Sequence, residues 1–478
     1  MQSRQTAKLC ASIEEAIKRS GLSDGGTISF HHAFREGDKV LLAVVRELAR
    51  LGFRDLTLAS SSLAEAHSEL VEHIRAGVIT RIYSSGMRGE LANQISHGLM
   101  DTPVQVHSHG GRTALIQTGE LSIDVAFLGV STADELGNAN GITGRSRCGA
   151  LGYAMVDAAH AGRVVLLTEE IVAFPNHPAS IGQDQVDLIV TVDAVGDPSR
   201  IGVGATRVTK NPRDLLIARR AAQVLAGSGL FTDGFSVQAG SGASSIATIR
   251  YLRETMHETK TRARWALGGI TGAMVDLHDE GLIDMLIDTQ TFDQRAIEDL
   301  RTDPAHHEIS AAQYANPIGK GAYVDELDMV ILSALEIDLN FNVNVLTGSD
   351  GVMRGASGGH CDTARGAKLA IVVAPLLRSR TPTVIEKVTT LVTPGSDVSA
   401  LVTDAGIAVN PNRPDLHERL RELGLPLTSI EDLMQLSIDI AGRPRTPRWG
   451  DKVVGVVRYR DGSVIDEVHE VLPCAAPA

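Results

Sequence analysis

One segment of this chain occurs twice. Asp124, Asp134, Asn138, Asn140, Thr143 and Gly144 are matched by Asp328, Asp338, Asn342, Asn344, Thr347 and Gly348 at a constant offset of 204 (328 − 124). A match of this kind marks duplication of a whole domain. In both copies the first Asp opens a continuous apolar run, residues 125–129 and 329–333, as expected of a buried strand. The offset extends outward: Gly77-Val78-Ile79 falls on Gly281-Leu282-Ile283, and the apolar run 164–168 falls close to 369–373. Asp and Asn side chains bond their own backbone and Asn tolerates left-handed φ, so Asp-x3-Asn predicts a tight loop after the strand. These residues either build only that loop or also line a cleft between the copies. Such a cleft, at the carboxyl ends of strands, is where α/β folds bind ligands.

Around the repeat, strand-like and helix-like stretches alternate. Strands are predicted at 27–30, 56–59, 164–168 and 187–192, and helices over 39–51 and 63–76. This alternation specifies an α/β architecture with mostly parallel sheets. Aromatic residues are only 4% of the chain, so Val, Leu, Ile and Ala must build the core. The first 21 residues read as an amphipathic helix that carries Glu14 and Glu15 and ends at Gly21. Asn211 and Pro212 cap a helix that runs to about Leu225 and stops at Gly227-Ser228-Gly229. The domain boundary is placed there, giving residues 1–226 and 227–478. Asp461-Gly462 between two strand-like runs predicts a hairpin over 456–465.

The net charge of −13 argues against a broad nucleic-acid or anionic-membrane surface, though local cations can still hold a small anion. Cys10, Cys148, Cys361 and Cys474 lack metal or redox spacing and read as reduced thiols. No apolar run approaches the ~18 residues that span a bilayer, so a soluble, cytoplasmic chain is expected.

Four stretches carry candidate chemistry. Residues 235–245 read as strand, glycine-rich turn, helix; Gly240 and Gly242 would present backbone N–H groups to a phosphate or an oxyanion, although a plain tight turn explains them equally. Residues 346–362 contain Gly348, Gly351, Gly355, Gly358 and Gly359 with Arg354 and His360 between them. Ordering so many glycines costs entropy, which favours a ligand loop. His31, His32 and Arg35 form a third cluster, and His107, His109 and Arg112 a fourth. His-x-His lacks a third ligand at useful spacing, so hydrogen bonding or anion binding is expected there and no metal site. His306-His307, beside Pro304, reads as a solvated loop.

The stretches TISFHHAFREGD (27–38), LTLASSS (56–62), VQVHSHGGR (104–112), IDVAFLGV (123–130), KNPRDLLIAR (210–219), ALGGITGAMVDLH (266–278) and SALEIDLNFNVNVLTGSDGVMRGASGGHCDTA (333–364) carry a resemblance. The chain resembles the citrate lyase α-subunit family and, more distantly, the CoA-transferase superfamily. The resemblance implies two tandem CoA-transferase-like α/β domains with the active site in the cleft between them. It implies a citrate CoA-transferase: citrate displaces acetate from the acetyl thioester of an acyl carrier protein, and a second subunit then cleaves the citryl group to oxaloacetate. The partners implied are the β (citryl lyase) and γ (acyl carrier) subunits, in a hetero-complex or homo-oligomer. No cofactor is expected on this chain; the co-substrate is the carrier's CoA-like prosthetic thiol, or acetyl-CoA.

Relatives that work through a glutamyl thioester carry a Glu in the segment that here reads Ile270-Thr271-Gly272-Ala273-Met274, with Ala273 in the Glu position. The resemblance therefore implies a non-covalent route, in which a citrate carboxylate attacks the thioester itself. Gly240, Gly242, Gly358 and Gly359 are then the candidate oxyanion donors. Arg354, His360, His31, His32 and Arg35 are the candidate citrate cations, and Asn342 and Asn344 belong to a segment shared across the superfamily. Glu336 is either a cleft carboxylate or a strand-end acid bonded to its loop. Alternatives are a general acyl-CoA:carboxylate CoA-transferase and a non-enzymatic sugar-phosphate or thioester sensor of the same fold. A dinucleotide enzyme is disfavoured because Ser245 replaces the third glycine of the fingerprint.

Overall fold

The apolar runs become parallel strands, most of them joined to their neighbours through helical crossovers. The computed structural model describes residues 8–202, 209–240 and 242–473. Residues 1–7, Ser241 and Cys474 lie outside that set. The first sheet runs in the order Val104–Val106, Ile79–Ser84, Leu56–Ser60, Thr27–Phe30, Val125–Val130, Arg163–Thr168, Leu188–Thr191, Leu9–Cys10. The second runs His306–Glu308, Leu286–Thr291, Ala263–Ile270, Phe235–Ala239, Met329–Ser333, Leu369–Val373, Ala400–Val402, Ile407–Val409. The first seven strands follow the same order in both sheets; the eighth differs, being the first described strand of the chain and parallel in the first sheet, but the last of its sheet in chain order and antiparallel in the second. Each copy also carries a three-stranded sheet: Ile171–Val172, Thr132–Asp134, Ala139–Asn140 in the first, and Val384–Ile385, Glu336–Asp338, Val343–Asn344 in the second.

The repeated polar residues do the same work in both copies. Asp124 accepts the Thr27 N–H at 2.7 Å, and Asp328 accepts the Ser236 N–H at 2.8 Å, which sets the register of adjacent strands. Asp134 Oδ1 accepts the amides of Leu136 and Asn138; Asp338 Oδ1 accepts those of Asn340 and Asn342. Asn140 Oδ1 accepts from Ile142 and Thr143, and Asn344 Oδ1 from Leu346 and Thr347. The tight turn puts Gly137 at φ 103° and forces its counterpart Phe341 to φ 62°. The motif is thus a loop scaffold, bonded throughout to its own backbone.

Two assignments shift. The helix Pro212–Gly227 forms as expected, with Asn211 accepting from the Arg213 N–H, but Ile217, Ala221, Val224 and Leu225 pack with Phe235 and Val237 in the second core. The hairpin also forms, as strands Trp449–Arg458 and Val464–Val471, yet it pairs in parallel with Val104–Val106 and widens the first sheet to ten strands. Val454, Val457 and Val468 enter the first core. At ~1.5–3 kcal/mol per buried large apolar side chain, this burial fixes the hairpin on the first sheet. The N-terminal helix covers Ile13–Ser20, capped by Ser12 and ended by Gly21 at φ 75°, with strand Leu9–Cys10 before it. Cys10, Cys148 and Cys361 are free and buried. No helix among the described residues is long and apolar enough to cross a membrane.

Candidate active site

The loop after each repeat crosses to the other half. Residues 353–358 lie against the first: Gly86 and Ala356 form an antiparallel bridge, the Ser357 N–H donates to Ser85 O at 2.7 Å, and the His109 N–H donates to Gly358 O at 2.8 Å. Asp362 accepts from Ser108 Oγ and the Gly110 N–H at 2.8 and 2.9 Å. In return Arg147 pairs with Glu298, the Ala150 N–H donates to Thr291 Oγ1, and the Leu151 N–H donates to Glu308. The glycines serve this approach: a Cβ on Gly86 would stand 2.3 Å from Ala356 Cα, and one on Gly110 2.0 Å from Ala315 O. In the second loop Gly358 faces His109 and Gly351 faces Trp449, whereas Gly348 and Gly355 pack on their own loop.

Where the loops cross, side chains from both halves converge. His32, at the end of strand Thr27–Phe30, stacks on His109 with ring centroids 5.5 Å apart, and Tyr153 closes on both at 4.7 and 4.6 Å. Ser61 Oγ accepts the His32 N–H and meets His32 Nδ1 at 2.5 Å. His32 Nε2 faces Gln290 Oε1 of the other half at 3.2 Å. This arrangement assigns the proton to Nε2. Burial, reinforced by His109, pushes His32 well below the usual imidazole range, and burial with Arg112 pushes His109 down to about 3. Both rings are neutral, and His109 Nδ1 is buried without a partner among the described residues.

Arg35 supplies the positive charge. Its guanidinium lies 4.0 Å over the Phe292 ring, the backbone takes φ 54°, and Nε is buried without a partner. Arg35 forms no ion pair among the described residues. Burial lowers its pKa to about 10, so it stays charged near neutrality. A half-buried cation on an aromatic face, held in a strained conformation and without an ion pair among the described residues, is a candidate anion site. Exposed Arg88 contributes to lowering the Arg35 pKa and adds positive charge nearby.

Gly358 and Gly359 flank this cluster. Gly358 takes φ 54°, and its Cα faces His109, whose Nε2 would stand 3.6 Å from a Cβ there. Gly359 packs on the Tyr314 hydroxyl, which accepts from Gln238 Nε2 at 2.9 Å. A Cβ on Gly268, at φ 102°, would stand 2.6 Å from that same Gln238 amide. Neither the Gly358 nor the Gly359 N–H is bonded to backbone among the described residues. Gly240 differs: its N–H donates to Ile331 O at 2.9 Å and is unavailable as a donor. Gly242 caps the helix Ala243–Thr259 and packs on Ser333 Oγ.

Other expected residues lie elsewhere. His31 is buried, with Nε2 on Gly129 O and Nδ1 accepting the Ala33 N–H. His360 is buried between Thr393 Oγ1 and Ser333 O, and burial lowers its pKa to about 4, so it offers no cation. Arg354 is exposed and bound to Asp350. Asn342 bonds Asp338 and the Gly395 N–H; Asn344 bonds Glu336, Leu346 and Thr347. Glu336 accepts from Asn344 and Thr389 and lines a cavity of about 1230 Å³ against the C-terminal segment, to which no residue of the His32 cluster contributes. Ala273 lies on the helix Gly272–Asp279 against the second core; the strand end that faces Gln238 and Phe292 is Gly268-Gly269, again without a carboxylate. His306 is no loop residue but a buried strand residue. Tyr153, Gln238, Gln290, Phe292 and Tyr314 carried no local signal in the sequence, since each resembles an ordinary core or strand residue.

The family model Citrate lyase, alpha subunit (CitF) matches residues 6–471. The citrate lyase alpha chain of Haemophilus influenzae is 62% identical over 97% of this chain and 93% of its own, and that of Escherichia coli K12 is 61% identical over 97% and 91%. A crystal structure assigned to the citrate lyase alpha subunit of Streptococcus mutans, in complex with citrate, superposes with a TM-score of 0.97 at 51% identity, covering 99% of this chain and 92% of that one. A malonate decarboxylase alpha subunit from Acinetobacter baumannii shares the fold at TM-score 0.67 and 15% identity, over 92% and 93% of the two chains. The duplicated α/β fold, the crossing loops and these matches together establish that the chain belongs to the citrate lyase alpha subunit family.

Proposed function

We propose that this chain is the citrate CoA-transferase of a citrate lyase complex and that the reaction takes place in the seam around His32, Arg35, His109 and Tyr153. The observation that carries this reading is Arg35, a half-buried guanidinium on Phe292 with no carboxylate partner among the described residues, together with the Gly358 and Gly359 amides, which have no backbone partner among those residues. Arg35 would hold a citrate carboxylate, with neutral His32 and His109 as hydrogen-bonding partners. The Gly358 and Gly359 amides would face the thioester carbonyl, where each well-placed donor contributes roughly 3 kcal/mol to an oxyanionic transition state.

The segment from Gly268 to Met274 carries no Glu, so a citrate carboxylate is itself the nucleophile. Its oxygen bonds to the acetyl carbonyl carbon and the C–S bond breaks, giving an acetyl citryl anhydride and a thiolate. The thiolate then attacks the citryl carbonyl, and acetate leaves with the bridging oxygen. Holding both reactants in the seam supplies an effective molarity of ~10⁵–10⁸ M. The thioester is that of the complex's acyl carrier, with acetyl-CoA as a substitute, and the lyase and carrier subunits are the partners. Incubation with acetyl-CoA followed by hydroxylamine or borohydride tests this reading: activity is retained if no enzyme thioester forms, and inactivation contradicts it. A substrate panel comparing acyl-carrier and acyl-CoA donors separates it from a general CoA-transferase.

A further inference from the structure

Strand Leu286–Thr291 carries a bulge where it enters the seam. Asp288 pairs with Gly268, but Gly269 pairs with Gln290, so Thr289 is an extra residue. Such a bulge re-aims the following side chains and takes backbone amides out of the ladder. Asp288 compensates: its Oδ1 accepts the Gln290 N–H at 2.9 Å, and its Oδ2 accepts Thr291 Oγ1 at 2.6 Å. The bulged strand end presents Gln290 to His32 and Phe292 to Arg35.

Asp288 is fully buried, and a lone carboxylate there would be costly. It is paired. His306, on the neighbouring strand His306–Glu308, places Nε2 3.4 Å from Asp288 Oδ2 while its Nδ1 meets Asp299 Oδ2 at 2.8 Å. All three side chains are at most 5% exposed. Burial alone would discharge the imidazole, but the two carboxylates outweigh it and hold the His306 pKa up at about 9. Asp288 acts on Arg35 through its charge, which favours the protonated guanidinium, and the reaction above uses none of the three.

We propose that Asp288, His306 and Asp299 form a positioning device for the seam: by clamping the bulge, they aim Gln290 at His32 and hold Phe292 under Arg35. The proposal rests on the functional reading given above. The coupling runs Asp299, His306, Asp288, Gln290, His32, and so joins the outer edge of the second sheet to the first half.

A double-mutant cycle tests it in the full chain. Gln290→Leu and His306→Gln should each lower kcat/KM for citrate and acetyl-CoA about 10-fold, and the double variant should lose about 10-fold rather than the ~100-fold of independent sites. In ¹⁵N-histidine spectra of the substrate-free protein, each single variant should also move the His32 nitrogen pair away from its Nε2-protonated pattern. Additive losses, or a His306→Gln protein with lowered Tm and an unchanged His32 pattern, overturn the proposal. If His306→Gln does not fold, the near-isosteric Asp299→Asn takes its place in the same cycle with the same criteria. A wild-type protein with no citrate-dependent exchange would overturn the functional reading, while the spectra still decide the positioning one.

Discussion

His32 Nε2 and Gln290 Oε1 meet 3.2 Å apart, one residue from each half of a duplicated chain. Neither half alone can make this contact, so the candidate site lies where the two copies cross. On the first half His32 is fixed by Ser61 and stacked on His109; on the second Gln290 is aimed by a bulge.

Arg35 should dominate citrate affinity. A charge-assisted hydrogen bond is worth about 1.5–3 kcal/mol, so Arg35→Ala should weaken citrate binding roughly 10- to 100-fold by calorimetry. Arg354→Ala should leave it unchanged, since Arg354 is exposed and bound to Asp350. The reverse order of effects would move the citrate site to the outer loop.

Gly359→Ala should slow turnover while leaving the fold intact. The new Cβ would stand 2.5 Å from the Tyr314 hydroxyl, so Tyr314 must shift away from Gln238. A displacement on this scale beside reacting groups costs up to ~100-fold in kcat. Single-turnover rates with an unchanged circular dichroism spectrum would verify it.

His306 predicts a pH dependence of stability. Its folded pKa of about 9 lies above the unfolded value of 6.5, so protonation favours the folded state. The contribution is complete below pH 6.5 and is lost as pH rises through 9. The wild-type Tm should fall across that window more steeply than that of His306→Gln. Equal slopes would mean that His306 is not held as an imidazolium.

Local patterns made much of this fold legible. The offset of 204 anticipates the strand order that the two sheets share, because Asn140/Asn344 make local bonds that any copy of the loop must repeat and Asp124/Asp328 tie their strands to the equivalent neighbours at Thr27 and Ser236. The pairing of Trp449–Arg458 with Val104–Val106 was not legible, since a hairpin signal specifies its own turn but not which sheet it joins. The same limit applies at the site. His32, Arg35, Gly358 and Gly359 stand out by residue type, whereas Gln290, Phe292 and Tyr153 acquire meaning only through contacts across the seam. His306 was misplaced because His-His beside a proline looks solvated. Its burial depends on Asp288 and Asp299, which no spacing rule connects to it.

The path of the citrate oxygen tests the central claim most directly. In a single turnover of carboxylate-¹⁸O citrate with an acetyl thioester, the ternary mechanism transfers the label to acetate and leaves the protein unlabelled. Unlabelled acetate, with ¹⁸O recovered in a protein carboxylate, would contradict it.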